Sequence, residues 1–312
     1  MTTTAPRGAG AASPGRGGGP APRRATIAAR TLRTDRWWLQ PLLTVLALVA
    51  FVVYSTVRAF QNAYYFSEPY ISPFYSPCIT TGCEGNTFPE LFTGPAWISP
   101  AIYILVVPLG FRLTCYYYRK AYYRSFWQSP PACAVAEPHR RYTGETRLPL
   151  LGQNLHRYFF YAGLVFNLIL TYDAVLAFRD ETGAWGHLGL GTLVLLANAA
   201  LVFNVILFYE AFRGFRDETG EWGHMGLGTV VLLVNAVLLF LYSVSCHSCR
   251  HVVGGRLNSF SRHPLRYRAW TLVSRLNGRH MLFAWASLAS VALADLYVLL
   301  LATGTISDPR FF

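Results

Sequence analysis

Six stretches of this chain are apolar for long enough to cross a bilayer core, which takes about 20 helical residues. They fall near 38–58, 98–117, 155–178, 188–210, 225–246 and 281–303. Trp37 and Trp38 stand at the entrance of the first, where aromatic side chains commonly mark a membrane interface. The expected fold is all-α: a polytopic transmembrane helix bundle of five core spans plus one extra hydrophobic segment.

The extra segment has a visible origin. Residues 164–200 and 201–237 form a tandem repeat with 26 of 37 positions identical, sharing LVFN, FRDETG, WGH, GLGT and VLL. The copied unit runs from inside one span, through an acidic turn, to the inside of the next. Duplicating it creates one additional apolar run, at 188–210, fused from the start of one helix and the end of another. Solenoids need three or more units to stabilise one another, so two copies read as a local duplication. His187 and His224 match in the repeat and are expected to be structural or interfacial.

The polar stretches set an expected sidedness. Residues 1–36 hold seven arginines against Asp35, rich in Gly, Pro and Ala, and read as a disordered basic tail on the cytoplasmic side, ahead of an anchor domain over 37–312. Residues 59–97 hold no Lys or Arg and three Glu, with Cys78 and Cys83, which fits an outer loop and a disulfide. The segment 112–147 carries seven basic residues against two acids, and 250–279 carries seven arginines and no acid, so both are expected to face the cytoplasm. In the first of these, Tyr116, Tyr117, Tyr118, Tyr122 and Tyr123 fit an interfacial belt. An even number of crossings must separate the two basic loops, yet three apolar runs lie between them. The acidic turns at 179–183 and 216–221 both favour the outside, so 188–210 is expected to re-enter or lie at the interface.

Composition agrees with a membrane protein: 53% hydrophobic, 15% aromatic and only 13% charged, with a net charge of +12 that is almost all arginine. Clustering of that kind reads as topology first and partner binding second. No nucleotide-binding loop, nucleophile motif or flavin fingerprint is present, so no catalytic residue is expected in this chain.

The chemistry concentrates at SCHSCRH, residues 245–251, directly after an apolar run. Cys246 and Cys249 are three apart and His247 and His251 four apart, so each pair shares a helix face. At about 100° per residue the two pairs point apart, and one straight helix cannot wrap all four around a metal. A metal or cluster here needs donors from another segment or an unwound helix end. On a five-span reading, Cys115 ends the second span, His156 opens the third, and His280 opens the last, all near the depth of Cys246. Cys133 and His139, in the Pro-rich segment that follows, are placed to fold onto them. Asp173 and Asp295 lie in or near apolar runs, where pairing with each other, with backbone or with water is expected.

Longer motifs carry a resemblance. FRLTCYYYRKAYYRSFWQSPPACAVAEPH, LHRYFFY, SCHSCRH followed by GGRLNSFSRHP, and RHMLFAW occur in order and together resemble the single-subunit membrane anchor, the cytochrome b-like C subunit, of type F succinate dehydrogenase. The match runs from about residue 34 to the C-terminus, apart from the extra repeat. The resemblance implies a five-helix anchor in the cell membrane that binds a flavoprotein subunit and an iron-sulfur subunit on its cytoplasmic face and passes electrons to a quinone. It also implies a membrane-embedded Rieske-type [2Fe-2S] cluster, with two cysteines on one iron and two histidines on the other.

The sequence leaves the four ligands open. Cys246 and Cys249 are the strongest thiol candidates, with Cys115 or Cys133 replacing one of them, and His156, His247 or His251 supply imidazoles; the metal set favoured is Cys246, Cys249, His156 and His251. An imidazole ligand keeps a second nitrogen that titrates, so reduction can couple to proton uptake. For quinone, Trp37, Tyr117 and Arg157 offer an aromatic wall and donors at the same edge. Two other readings stand beside this one: a haem b anchor with His156, His247 or His280 as axial ligands, and a non-redox scaffold with structural zinc at Cys246 and Cys249.

Overall fold

The computed structural model describes residues 33–76, 80–84, 93–95, 97–139, 146–148, 150–162, 213–215, 225–255 and 258–311, with Glu90 and Ala211. The basic tail at 1–32, the extra run at 188–210, and Cys78, Asp173, His187 and His224 lie outside the described residues.

Helix α1 covers Leu39–Gln61. Its leucines and valines are exposed on most sides, among them Leu43, Leu46, Val53 and Val57, which is stable only where the surroundings are themselves apolar. A short hairpin follows, β1 at Phe66–Ser67 pairing antiparallel with β2 at Tyr70–Ile71. Helix α2, Pro100–Leu113, starts with Pro in its first turn, where the missing N–H costs nothing. Helix α3, Tyr116–Ala121, runs on into a π turn at Tyr122–Phe126. A 3₁₀ turn at Leu150–Leu155 leads into a helix over 156–162. Then come α4, Leu227–Val244, α5, His247–Gly254, α6, Pro264–Asn277, and α7, His280–Ala302.

Helices α1, α4 and α7 are long and apolar enough to cross a membrane, and α2 with α3 and its π turn makes a fourth among the described residues if that bent pair is one span. The run at 98–117 is therefore not one straight helix: the chain turns by 62° between Leu113 and Tyr116. The stretch at 250–279 is likewise more than a loop, since α5 and α6 pack on each other. The Trp270 indole lies so close to Gly254 that a Cβ there would sit 2.2 Å from it. Arg250 stacks over Trp270 at 5.3 Å, and Arg266 donates to the Val253 and Gly255 carbonyls.

Two of the three buried clusters among the described residues stack along the bundle. One, between the first half of α1 and the starts of α3, α5 and α7, gathers Leu48, Phe111, Cys115, Tyr118, Phe160, Tyr242, Cys246, Ala284 and Leu288. The other, beyond it, gathers Ala59, Tyr65, Ile71, Phe74, Tyr75, Ala101 and Val291 beneath the hairpin. There Asp295 of α7 is fully buried and accepts from Arg58 Nε at 2.8 Å, from Tyr54 Oη at 2.6 Å and from Ser72 Oγ. Its partner is thus Arg58 of α1, which the charge pattern alone did not single out. Cys83 is disulfide-bonded, at the end of the molecule away from Cys115 and Cys246.

Candidate metal centre

Two cysteines occupy equivalent places in the backbone. Cys115 follows the end of α2 in extended conformation, φ −61° and ψ 133°, and N-caps α3. Cys246 follows the end of α4 with φ −63° and ψ 144° and N-caps α5, its sulfur accepting from the Ser248 N–H at 3.4 Å. Each thiol thus sits where a membrane helix stops, beside the first N–H groups of the next one. Both side chains are 1% exposed.

A histidine faces each of them. His156 Nε2 lies 3.1 Å from Cys246 Sγ, and His280 Nε2 lies 3.5 Å from Cys115 Sγ. Cys115 and Cys246 lie in one buried cluster with Phe111, which stacks on His156, and Tyr242, which stacks on His280, so the two pairs are neighbours. Four segments distant in sequence supply the four donors: the α2–α3 break, the helix at 156–162, the α4–α5 break and the start of α7.

The far nitrogen of each ring is fixed by the protein. His156 Nδ1 is 3.1 Å from the Phe111 carbonyl, which can only accept, so that nitrogen carries the proton and Nε2 presents its lone pair to Cys246. Phe111 also stacks on the imidazole, with ring centres 4.6 Å apart. His280 Nδ1 is 2.7 Å from Ser245 Oγ, which in turn donates to the Tyr242 carbonyl at 3.1 Å. With that hydroxyl proton used, His280 Nδ1–H donates to Ser245 and Nε2 again faces a thiol. Holding Nδ1–H on an acceptor and leaving Nε2 free is how proteins orient a metal-binding histidine.

The other expected residues stand elsewhere. His247 and His251 are exposed on α5, their rings 5.3 Å apart edge to face. Burial, with His251 and Arg250 beside it, holds the His247 imidazole below its ordinary range. Cys249 packs against the first cluster, where burial pushes its thiol up. Cys133 and His139 are exposed, and the Cys133 carbonyl accepts from Arg33 at 2.7 Å. Tyr117 meets His280 edge-on at 4.9 Å, whereas Arg157 is exposed and no hydrogen bond or ring contact among the described residues joins Trp37 to either.

Three residues of the site were missed by sequence reasoning or placed wrongly. His280 was placed at the depth of Cys246 but entered the ligand sets only as a haem alternative, although it opens an apolar run as His156 does. Arg112, assigned to a cytoplasmic loop, belongs to the last turn of α2. Tyr118, assigned to an interfacial belt, is buried and donates to the Ala284 carbonyl at 2.6 Å. The signal for Arg112 was its place inside an apolar run, where a charge is rare without a role.

Among the described residues no three His, Cys, Asp or Glu side chains close on a common point, as a single ion would require. Two cysteines and two histidines are gathered here, and the donor types are those of a Rieske-type [2Fe-2S] cluster.

A bundle of membrane-length helices with such a donor set at one end defines a polytopic membrane protein of the anchor type. The family model for the actinobacterial succinate dehydrogenase subunit SdhC matches residues 39–204 and 199–304. The chain belongs to that family and is a membrane anchor subunit of succinate dehydrogenase. It is similar to a chain of the Mycobacterium smegmatis Sdh1 complex in the apo form, at 50% identity and a TM-score of 0.68, covering 94% of this chain and 98% of that one. No curated protein matches.

Proposed function

We propose that this anchor holds a Rieske-type [2Fe-2S] cluster on Cys115, Cys246, His156 and His280 and connects an iron-sulfur subunit on its cytoplasmic face with quinone in the bilayer. The observation that carries the reading is the gathering, at one end of the bundle, of two buried cysteines and two histidines, each ring already held by the protein at its second nitrogen. When bound, such a cluster supplies one-electron transfer.

The chain's own residues do the rest. The Phe111 carbonyl and Ser245 Oγ keep each imidazole in one tautomer and one orientation. Phe111, Phe160 and Tyr242 exclude water, which strengthens every electrostatic contact inside the site. Tyr242 Oη is buried without a hydrogen-bond partner among the described residues, yet interacts with the Cys115 side chain, so it is a donor waiting for a sulfur acceptor.

On the outside of this site, α5 and α6 present Arg262, Arg268, Arg275 and Arg279 to solvent, while Arg250 and Arg266 are used within the pair. With no acid over 250–279, the surface suits an acidic face of the iron-sulfur partner. The disulfide at Cys83, at the far end, supports placing that end in an oxidising compartment and the arginines in the cytoplasm. For quinone, Tyr117 lies against His280, and an apolar groove of about 370 Å³ lined by Leu39, Leu43, Ala47 and Trp285 opens beside the entrance of α1.

The test is a set of single variants of the purified complex, read by iron and acid-labile sulfide content and by low-temperature EPR after dithionite reduction. Cys115→Ser, Cys246→Ser, His156→Ala and His280→Ala are expected to lose the signal and about two irons per complex. Cys249→Ser, His247→Ala and His251→Ala are expected to keep both. Loss in the second group and retention in the first would reject this ligand set.

A further inference from the structure

Among the described residues Arg112 has no counter-charge. Its Nη1 donates to Tyr118 Oη at 3.0 Å, to the Ala284 carbonyl at 3.2 Å and to Ser287 Oγ at 3.2 Å, and Nη2 donates to Ser287 as well. Every one of these acceptors is neutral. The guanidinium also lies over the Tyr242 ring, 4.7 Å from its centre, and Tyr242 in turn stacks on the His280 imidazole at 5.1 Å and 9°. The order is cation, phenol, imidazole, with the Cys115 sulfur against the same imidazole and in electrostatic contact with Arg112 itself.

Placing an arginine in a membrane bundle is costly, and the usual remedy is a carboxylate. The same chain supplies that remedy for Arg58, through Asp295. Among the described residues, none stands beside Arg112. Its charge is therefore left acting on the site next to it, in surroundings that screen poorly.

We infer that Arg112 is a positioning residue for charge: it raises the reduction potential of the centre held by Cys115, Cys246, His156 and His280, an inference that rests on the ligand reading above. One electron arriving from a low-potential donor, the iron-sulfur partner or dithionite in vitro, adds one negative charge among these four ligands and makes or breaks no bond. The neighbouring cation stabilises that charge and so favours the reduced state. The Tyr242 ring between Arg112 and His280 carries the contact without admitting water.

The experiment is an EPR-monitored redox titration of the purified complex at fixed pH. Arg112→Gln keeps donors for Ser287 and Tyr118 but removes the charge. It is expected to shift the reduced-to-oxidised equilibrium about tenfold toward oxidised, 59 mV lower for a one-electron couple. Arg112→Lys is expected to stay close to the wild type. Ser287→Asp leaves Arg112 in place and sets a carboxylate against it, so the midpoint should fall as in Arg112→Gln even if that variant assembles poorly. An unchanged midpoint in Ser287→Asp or Arg112→Gln, with the signal intact, would overturn the inference while leaving the ligand reading standing. Absence of any [2Fe-2S] signal from the wild-type complex would overturn both.

Discussion

Arg58 and Arg112 show how one chain treats two cations inside a bundle. Arg58 is 1% exposed and Asp295 is fully buried, and the pair is completed by Tyr54 and Ser72, so that every oxygen of the carboxylate is engaged. The Arg58 carbonyl also accepts from Tyr75 Oη at 2.6 Å, which ties the end of α1 to the outer loop. Breaking such a pair strands a buried charge and costs about 3–5 kcal/mol. Asp295→Asn is therefore expected to lower the thermal midpoint of the detergent-solubilised complex clearly, whereas Tyr54→Phe, which removes one donor to the carboxylate, should cost less, about 1.5–3 kcal/mol. Equal midpoints for Asp295→Asn and wild type would contradict this account of the network.

At the scale of elements, the spans were legible because continuous apolar runs have one explanation in a long chain with few charges. Expected boundaries near 38–58, 225–246 and 281–303 correspond to α1 at Leu39–Gln61, α4 at Leu227–Val244 and α7 at His280–Ala302. The break within 98–117 was not legible. Hydropathy reports how apolar a run is and not whether its helix is continuous, and Leu-Thr-Cys-Tyr gives no Gly or Pro at the turning point. At the other break, the need for an unwound helix end or a second segment followed from the angular spread of Cys246, Cys249, His247 and His251, and the structure has both. Yet the i,i+3 spacing of the two cysteines drew attention to Cys249, which lies in the body of α5 while Cys246 caps it. The spacing rule describes one continuous helix, and the motif straddles the junction between two. Which histidine completes each pair depends on packing between segments 90 and 165 residues apart, and periodicity carries no information at that range.

For the whole molecule, the tandem repeat poses the question of which copy builds the bundle. In the second copy Arg213 pairs with Glu68 at 3.6 Å. Gly214 lies so close to Tyr70 and Thr229 that an added Cβ would stand 2.8 Å from each. Gly228 N–H donates to Asp308, which also accepts from Tyr70 and Tyr297, so the C-terminal residues clasp the start of α4. The first copy has the same GLGT but carries Leu176 and Ala177 where the second has Arg213 and Gly214. Two of the differences between the copies thus fall on residues that touch the hairpin. The two segments matched by the family model, 39–204 and 199–304, also overlap where the copies join. Deleting 164–200 is expected to leave assembly and thermal stability of the complex as they are. Deleting 201–237 keeps all four proposed metal donors but loses the ion pair and crowds Tyr70, a cost of about 1–3 kcal/mol. Thermal midpoints of the two deletion complexes compare them directly, and equal values would show that the copies are interchangeable.

Two histidines from separate helices are proposed to serve one redox centre in this anchor subunit. Pulsed EPR of the dithionite-reduced complex counts nitrogen ligands directly through their hyperfine couplings. Two imidazole nitrogens are expected in the wild type and one in His280→Cys, with the second assigned to His156 by its loss in His156→Cys. A spectrum without nitrogen coupling, or a haem signal unaffected by either substitution, would contradict the account.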